Sequence, residues 1–122
     1  IFARKIMAGE SISVFNYGNM KRDFTYIDDI ISGTRAAIKK NYKHEVFNLG
    51  NHKSEKLMDV VHLIEKNLGK KAEIDFQSMQ PGDVKESIAD IKYSSEKLGF
   101  LPKISISNGI PNLISWYKNY YG

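Results

Sequence analysis

The chain contains no cysteine. That excludes a disulfide framework and any thiolate metal site, and it fits a reducing compartment such as the cytoplasm. No apolar run approaches the roughly 20 residues needed to cross a bilayer, so no membrane partner is expected. Proline occurs three times and tryptophan once, and no linker, repeat or low-complexity tract interrupts the chain. Nowhere does a Gly-x-Gly-x-x-Gly or Gly-x-x-Gly-x-x-Gly run occur. The phosphate-cradling turn of a dinucleotide-binding fold is therefore missing. Charge of one sign is not concentrated either: 18 basic and 14 acidic residues leave a net charge of +4. The lysine pairs 39–40 and 70–71 fall at predicted helix ends, where cations suit the helix dipole. A nucleic-acid surface needs a basic stripe with interleaved aromatics, so no nucleic-acid partner is expected. His44, His52 and His62 share no metal-ligand spacing, and no metal is expected.

What remains is an ordinary globular composition, 42% hydrophobic and 26% charged over 122 residues. That is enough for one small domain with a core. Residues 1–8 read as the tail of a helix stopped by Gly9. The chain begins with Ile1 rather than Met, and a helix without a visible start marks it as an expected fragment of a longer protein. Short strands are predicted at 12–15 and 24–27, with Lys21-Arg22 in the loop between them. Asp28 is the expected N-cap of a helix over 29–40, whose apolar side carries Ile30, Ile31, Thr34, Ala37 and Ile38. A strand is predicted over 45–49. Ser54 then caps a helix over 55–68 with a stripe of Leu57, Val61, Ile64 and Leu68, ended by Gly69. A strand at 72–76, a loop at 77–86 and a short helix at 94–98 ending at Gly99 follow. In the last helix Pro111 belongs in a first turn, which puts the start near Ser107. The order β-β-α-β-α-β-α-α predicts a small mixed α/β domain.

The most informative stretch is 14–30, Val-Phe-Asn-Tyr-Gly-Asn-Met-Lys-Arg-Asp-Phe-Thr-Tyr-Ile-Asp-Asp-Ile. It places a guanidinium and an aromatic at one end of a sheet, which suits a ligand carrying phosphate and a flat base. The segment closely resembles the Arg-Asp-Phe-Thr-Tyr-Ile-Asp-Asp motif of nucleotide-sugar epimerases and dehydratases, extended members of the short-chain dehydrogenase/reductase superfamily. It is most similar to the UDP-glucuronate 4-epimerases of capsule biosynthesis. The likeness covers nearly the whole chain and is strongest at 14–30 and 79–84. In that family the motif lies in the C-terminal, substrate-binding half. Residues 1–122 are therefore expected to be that half, without the glycine-rich unit.

Five residues are singled out for substrate. Arg22 can fork two phosphate oxygens; by itself it also reads as a surface arginine paired with Asp23 or another acid. The resemblance implies that it grips the nucleotide diphosphate. Phe15 reads alone as core packing; the resemblance sets it against the uracil ring. Asn48 stands in Val-Phe-Asn-Leu-Gly, similar to the family's Tyr-Asn-Ile-Gly. There a strand end before glycine lets a ligand approach the backbone, although a turn asparagine satisfying its own backbone is the plainer reading. Asp83 follows Pro81-Gly82 as an ordinary turn aspartate does; the resemblance implies that it accepts from both ribose hydroxyls. Many relatives place arginine where this chain has Gln80. A neutral amide still donates hydrogen bonds but brings no charge. The Met-Gln-Pro-Gly-Asp-Val spelling of 79–84 is, however, what glucuronate epimerases tend to show.

The implied parent enzyme holds NAD in an N-terminal Rossmann half, uses a tyrosine base to oxidise C4 of the sugar, and returns the hydride after the 4-keto sugar turns over. This chain would bind no NAD and carry no catalytic residue. It would supply nucleotide grip to UDP-glucuronate, in a parent that dimerises. Tyr17 with Lys21 and Tyr93 with Lys97 repeat the superfamily's Tyr-x-x-x-Lys spacing, and both read as chance matches, because a general base must reach its proton beside the cofactor. Within the superfamily, a dTDP-glucose 4,6-dehydratase or another UDP-hexose 4-epimerase remains open. So does a free-standing binding or scaffold module with no chemistry.

Overall fold

The computed structural model describes residues 1–122. Its elements are α1 (Phe2–Ala8), β1 (Ile12–Val14), β2 (Lys21–Asp23), α2 (Ile27–Lys40), β3 (Ser54–Lys56), α3 (Leu57–Leu68), β4 (Ile74–Phe76), α4 (Lys92–Leu98) and α5 (Ile106–Tyr121). A 3-10 turn over Phe15–Gly18 follows β1 directly. The mixed α/β class is as the residue pattern predicts. The strands, however, form two separate pairs. β1 runs parallel to β4, with Ile12 opposite Ile74 and Val14 opposite Phe76. β2 runs antiparallel to β3, with Arg22 opposite Glu55 and Asp23 opposite Ser54.

The main core lies between β1 and helices α1, α3 and α5. Ile6, Ile12, Val14, Val61, Ile64 and Ile114 are its buried centre. Hydrophobic burial of side chains of this size contributes about 1.5–3 kcal/mol each. A second, smaller cluster joins Ile91, Leu98 and Phe100 to Ala36, Phe47 and Leu49. Gly9, Gly69 and Gly99 end α1, α3 and α4 in left-handed conformation, as their sequence positions predict.

Several expectations fail, each for a physical reason. Residues 24–27 form no strand; the ladder lies three residues earlier, on Lys21–Asp23. Phe24 instead turns its side chain into the main core. Arg22 is therefore a strand residue and not a loop residue. Asp28 does not cap α2: Tyr26 holds the N-cap position without a side-chain cap bond, and Asp28 lies in the first turn. Its neighbour Asp29 is buried and accepts the N–H groups of Lys103 and Ile104. The buried line of α2 runs through Asp29 and Gly33, leaving Ile31 and Ile38 exposed. At Gly33 a Cβ would stand 2.6 Å from Leu49 Cδ2, so glycine lets the helix press against the second cluster there.

Residues 45–49 run without a strand ladder. Ser54 caps nothing: it pairs in β3, and its hydroxyl is buried without a hydrogen-bond partner. The helix α3 starts at Leu57 instead. Strand β4 is shorter than the predicted span, and α4 begins two residues earlier than predicted. Helix α5 begins at Ile106 behind Ser105, so Pro111 stands in its second turn and not its first.

Candidate functional site

Loop 77–91 organises one end of the molecule. At its start, Gln77 N–H donates to the carbonyl of Val14 at 2.9 Å, and Tyr17 N–H donates back to the Gln77 carbonyl at 3.0 Å. These bonds fasten the loop across the 3-10 turn that opens with Phe15. Further on, Lys21 N–H donates to the Lys85 carbonyl at 2.9 Å, and Ser87 N–H donates to the Lys21 carbonyl at 3.2 Å. The loop thus adds itself to the outer edge of β2.

Arg22 and Asp83, 61 residues apart in sequence, meet across this edge: Nη2 donates to Oδ1 at 2.7 Å. Their side chains are 26% and 31% exposed. Arg22 Nη1 also donates to the Lys21 carbonyl at 2.8 Å. Asp83 Oδ1 accepts its following amide, Val84 N–H, at 2.8 Å. Gln80 closes the turn, its carbonyl accepting Asp83 N–H at 3.2 Å, with its side chain at the surface. The plainer reading of Arg22, an ion pair with an acid, is thus present, but its partner is Asp83 and not Asp23. A pair this exposed holds weakly, about 0.2–1 kcal/mol, and a doubly charged phosphate group can compete for the same fork.

Phe15 is half-buried at the first position of the turn. The exposed aromatic is Tyr17, two residues on, with both Asn16 and Tyr17 in left-handed backbone. Asn48 is exposed, and its amide donates to the Asp90 carbonyl at 3.2 Å. Its own carbonyl accepts the buried Ser94 hydroxyl. Arg22, Gln80 and Asp83 thus meet at the first part of loop 77–91, and the turn that opens with Phe15 is bonded to the loop's first residue, Gln77, through Val14 and Tyr17. Asn48 reaches the far end of the same loop through Asp90.

Sequence reasoning missed Asp23, and it read Gly50 as a place for a ligand to approach, where the structure seats Ala89. The Asp23 carboxylate accepts Asn51 N–H at 2.8 Å, Ala89 N–H at 2.9 Å and His52 N–H at 3.0 Å. A Cβ on Gly50 would stand 2.3 Å from the Cβ of Ala89, so only glycine lets these strands of chain approach. The available signal was the Asn-Leu-Gly sequence itself, since glycine after an extended run marks close backbone approach.

Of the two Tyr-x-x-x-Lys pairs, Tyr17 and Lys21 lie at this end, their backbones bonded to loop 77–91, but on a turn and a strand and not on one helix. Lys97 Nζ lies over the Tyr93 ring, 5.8 Å from its centre, and not beside the hydroxyl. That hydroxyl donates to the Glu45 carboxylate at 3.0 Å, which pushes its pKa up. Tyr17 is largely exposed. A cavity of about 520 Å³ is lined by Phe2, Phe24, Tyr26, Ile104, Ile110 and Leu113 among others. Its lining is almost wholly apolar, which suits packing and not a diphosphate. No helix is long and apolar enough to cross a membrane.

A family model described as GDP-mannose 4,6 dehydratase matches residues 2–113. The uncharacterised protein MJ1055 of Methanocaldococcus jannaschii is 49% identical over 116 residues, 95% of this chain and 36% of its own length. The UDP-glucuronate 4-epimerase of Thermodesulfobacterium geofontis is 36% identical, covering 96% of this chain and 36% of its own length. Among solved structures, the UDP-glucuronic acid 4-epimerase of Bacillus cereus in complex with UDP-glucuronic acid and NAD superposes with a TM-score of 0.87 at 33% identity. That match covers 98% of this chain and 39% of the solved one. The chain thus spans less than two fifths of the length of each of these relatives.

Proposed function

The chain belongs to the family whose model is described as GDP-mannose 4,6 dehydratase, and from that premise we propose that it is the nucleotide-sugar-binding part of an NAD-dependent UDP-glucuronate 4-epimerase. The observation that carries the proposal is the meeting of Arg22 and Asp83 at 2.7 Å on loop 77–91, with Phe15 at the loop's start. One end of the molecule then offers a guanidinium for phosphate, a carboxylate for ribose hydroxyls and an aromatic face for a base. Those are the three chemical parts of a nucleoside diphosphate.

On this reading the diphosphate takes over the Arg22 fork from Asp83. The freed carboxylate turns to the ribose, and Gln80 donates its amide to a phosphate oxygen without adding charge. Asn48 exchanges its bond to the Asp90 carbonyl for one to the ligand. Holding the nucleotide in this way orients the sugar for a reaction carried out by other residues.

A dinucleotide does not fit the residues present. Helices α2, α3 and α5 start at Tyr26-Ile27, Lys56-Leu57 and Ser105-Ile106, and none of these starts follows a glycine-rich turn that would admit a pyrophosphate to the helix end. In this proposal NAD and the tyrosine base are supplied by a Rossmann half that covers the apolar cavity lined by Phe24, Tyr26 and Ile110. The chain by itself binds UDP-sugar weakly and turns nothing over.

Calorimetric titration tests this. Saturable heat with UDP-glucuronate, weaker with dTDP-glucose, is the expected result. A folded chain that takes up neither ligand at millimolar concentration, or turns over UDP-glucuronate unaided, contradicts it.

A further inference from the structure

We propose that Asp23 is the positioning residue of the nucleotide end, setting where Arg22, Asn48 and Asp83 stand relative to one another. The proposal rests on the reading of that end as a nucleotide site, and adds to it a residue that touches no ligand. Asp23 ends β2, opposite Ser54, where the β2–β3 ladder stops. Past that point the carboxylate serves as the acceptor for chain that the ladder no longer reaches. Oδ1 accepts Asn51 N–H; Oδ2 accepts both His52 N–H and Ala89 N–H. These donors lie 28, 29 and 66 residues further along the sequence.

Successive strand residues point to opposite faces. The Arg22-Asp23 dipeptide therefore holds loop 77–91 from both sides, Arg22 through Asp83 and Asp23 through Ala89. The same carboxylate fixes Asn51 and His52, directly after the Asn48–Gly50 segment. A second tie joins the two held segments: His52 Nδ1 lies 2.7 Å from the Ala89 carbonyl. Gly50 completes the fit, since a Cβ there would fall 3.1 Å from Asp23 Oδ2. Three donors converge on two oxygens, so the group must be acceptor-only. An asparagine in its place turns an NH₂ toward at least one N–H.

Asp29 provides a matched control. It too is a carboxylate clamping remote backbone, at Lys103 and Ile104, but away from loop 77–91. Asp23→Asn and Asp29→Asn are compared for urea stability, for UDP affinity by calorimetry, and for amide hydrogen exchange. Both variants are expected to lose stability. Only Asp23→Asn is expected to weaken UDP binding, by tenfold or more, and to speed exchange at 48–52 and 83–89 together. Asp29→Asn should speed exchange only near 103–104. Asp23→Glu, which keeps two acceptor oxygens one methylene further out, gives the same comparison if the asparagine variant does not fold, with a smaller loss. Equal UDP affinity in Asp23→Asn and the unaltered chain overturns the proposal, as does unchanged exchange at 83–89. If the unaltered chain binds no UDP, the nucleotide reading fails instead. Hydrogen exchange then decides alone whether Asp23 holds the two segments in place.

Discussion

Alanine at position 50 tests how closely the site segments are pressed together. The added methyl group would lie 2.3 Å from the Cβ of Ala89 and 3.1 Å from Asp23 Oδ2. Neither neighbour can swing away, because one is fixed to backbone and the other is tied by three N–H groups. Restoring ordinary contact moves one segment by roughly an ångström, and overpacking of that kind costs about 1–3 kcal/mol. The same movement stretches the bond from Ala89 N–H to a charged acceptor, adding about 1 kcal/mol or more. Gly50→Ala should therefore cost about 2–4 kcal/mol, a large part of the 5–15 kcal/mol that holds a domain of this size. Gly69→Ala is the reference. Nothing lies within 4 Å of a Cβ there, and only the left-handed backbone (φ 69°) is strained, at about 1–2 kcal/mol. Urea unfolding followed by circular dichroism measures both. A Gly50→Ala loss no larger than that of Gly69→Ala refutes the close approach.

Arg22→Ala should cost less than about 1 kcal/mol in the same assay, because its pair with Asp83 is partly exposed. A loss above about 2 kcal/mol would make Arg22 a structural residue first. Glu65 gives a pH signature. It is buried, and the Ala72 N–H at 2.9 Å, then Lys71, hold its carboxyl below the ordinary 4.5. A depressed carboxyl contributes stability that is present above its unfolded pKa and is lost as pH falls through the folded one. Stability should fall as pH drops below about 4.5. Glu65→Gln should be less stable at neutral pH and flatter across that acid range; parallel curves would contradict the assignment.

The fold was legible wherever a signal was local. Glycines after apolar stripes ended α1, α3 and α4 as predicted, and the four-three-four spacing of Leu57, Val61, Ile64 and Leu68 located α3. The candidate site rests on the spelling of 14–30 and 79–84, and of its members the chain joins Arg22 to Asp83 directly. What failed was decided by distant partners. Phe24 to Ile27 carry strand-favouring side chains, yet the ladder formed on Lys21-Arg22-Asp23, where Ser54-Glu55-Lys56 supplied a partner. Asp28 looked like a cap, but its neighbour Asp29 was taken up by backbone 74 residues away. Asp23 and Asp29 each gather N–H groups from remote chain, and a carboxylate leaves no local mark of that role. The exposure of Ile31 and Ile38 likewise follows from Gly33 pressing on Leu49, a contact that helical periodicity does not reveal.

Central to the account is that Phe15, Arg22, Asn48, Gln80 and Asp83 form one nucleotide-sugar site. A two-dimensional amide NMR titration of the chain with UDP-glucuronate tests it most directly. The account predicts saturable shifts confined to 15–22, 48–52 and 77–91, with the Arg22 guanidinium signal moving as its bond to Asp83 breaks. Shifts that gather instead at Phe24, Tyr26 and Ile110 around the apolar cavity, or that leave Arg22 and Asp83 unmoved while others saturate, would contradict it.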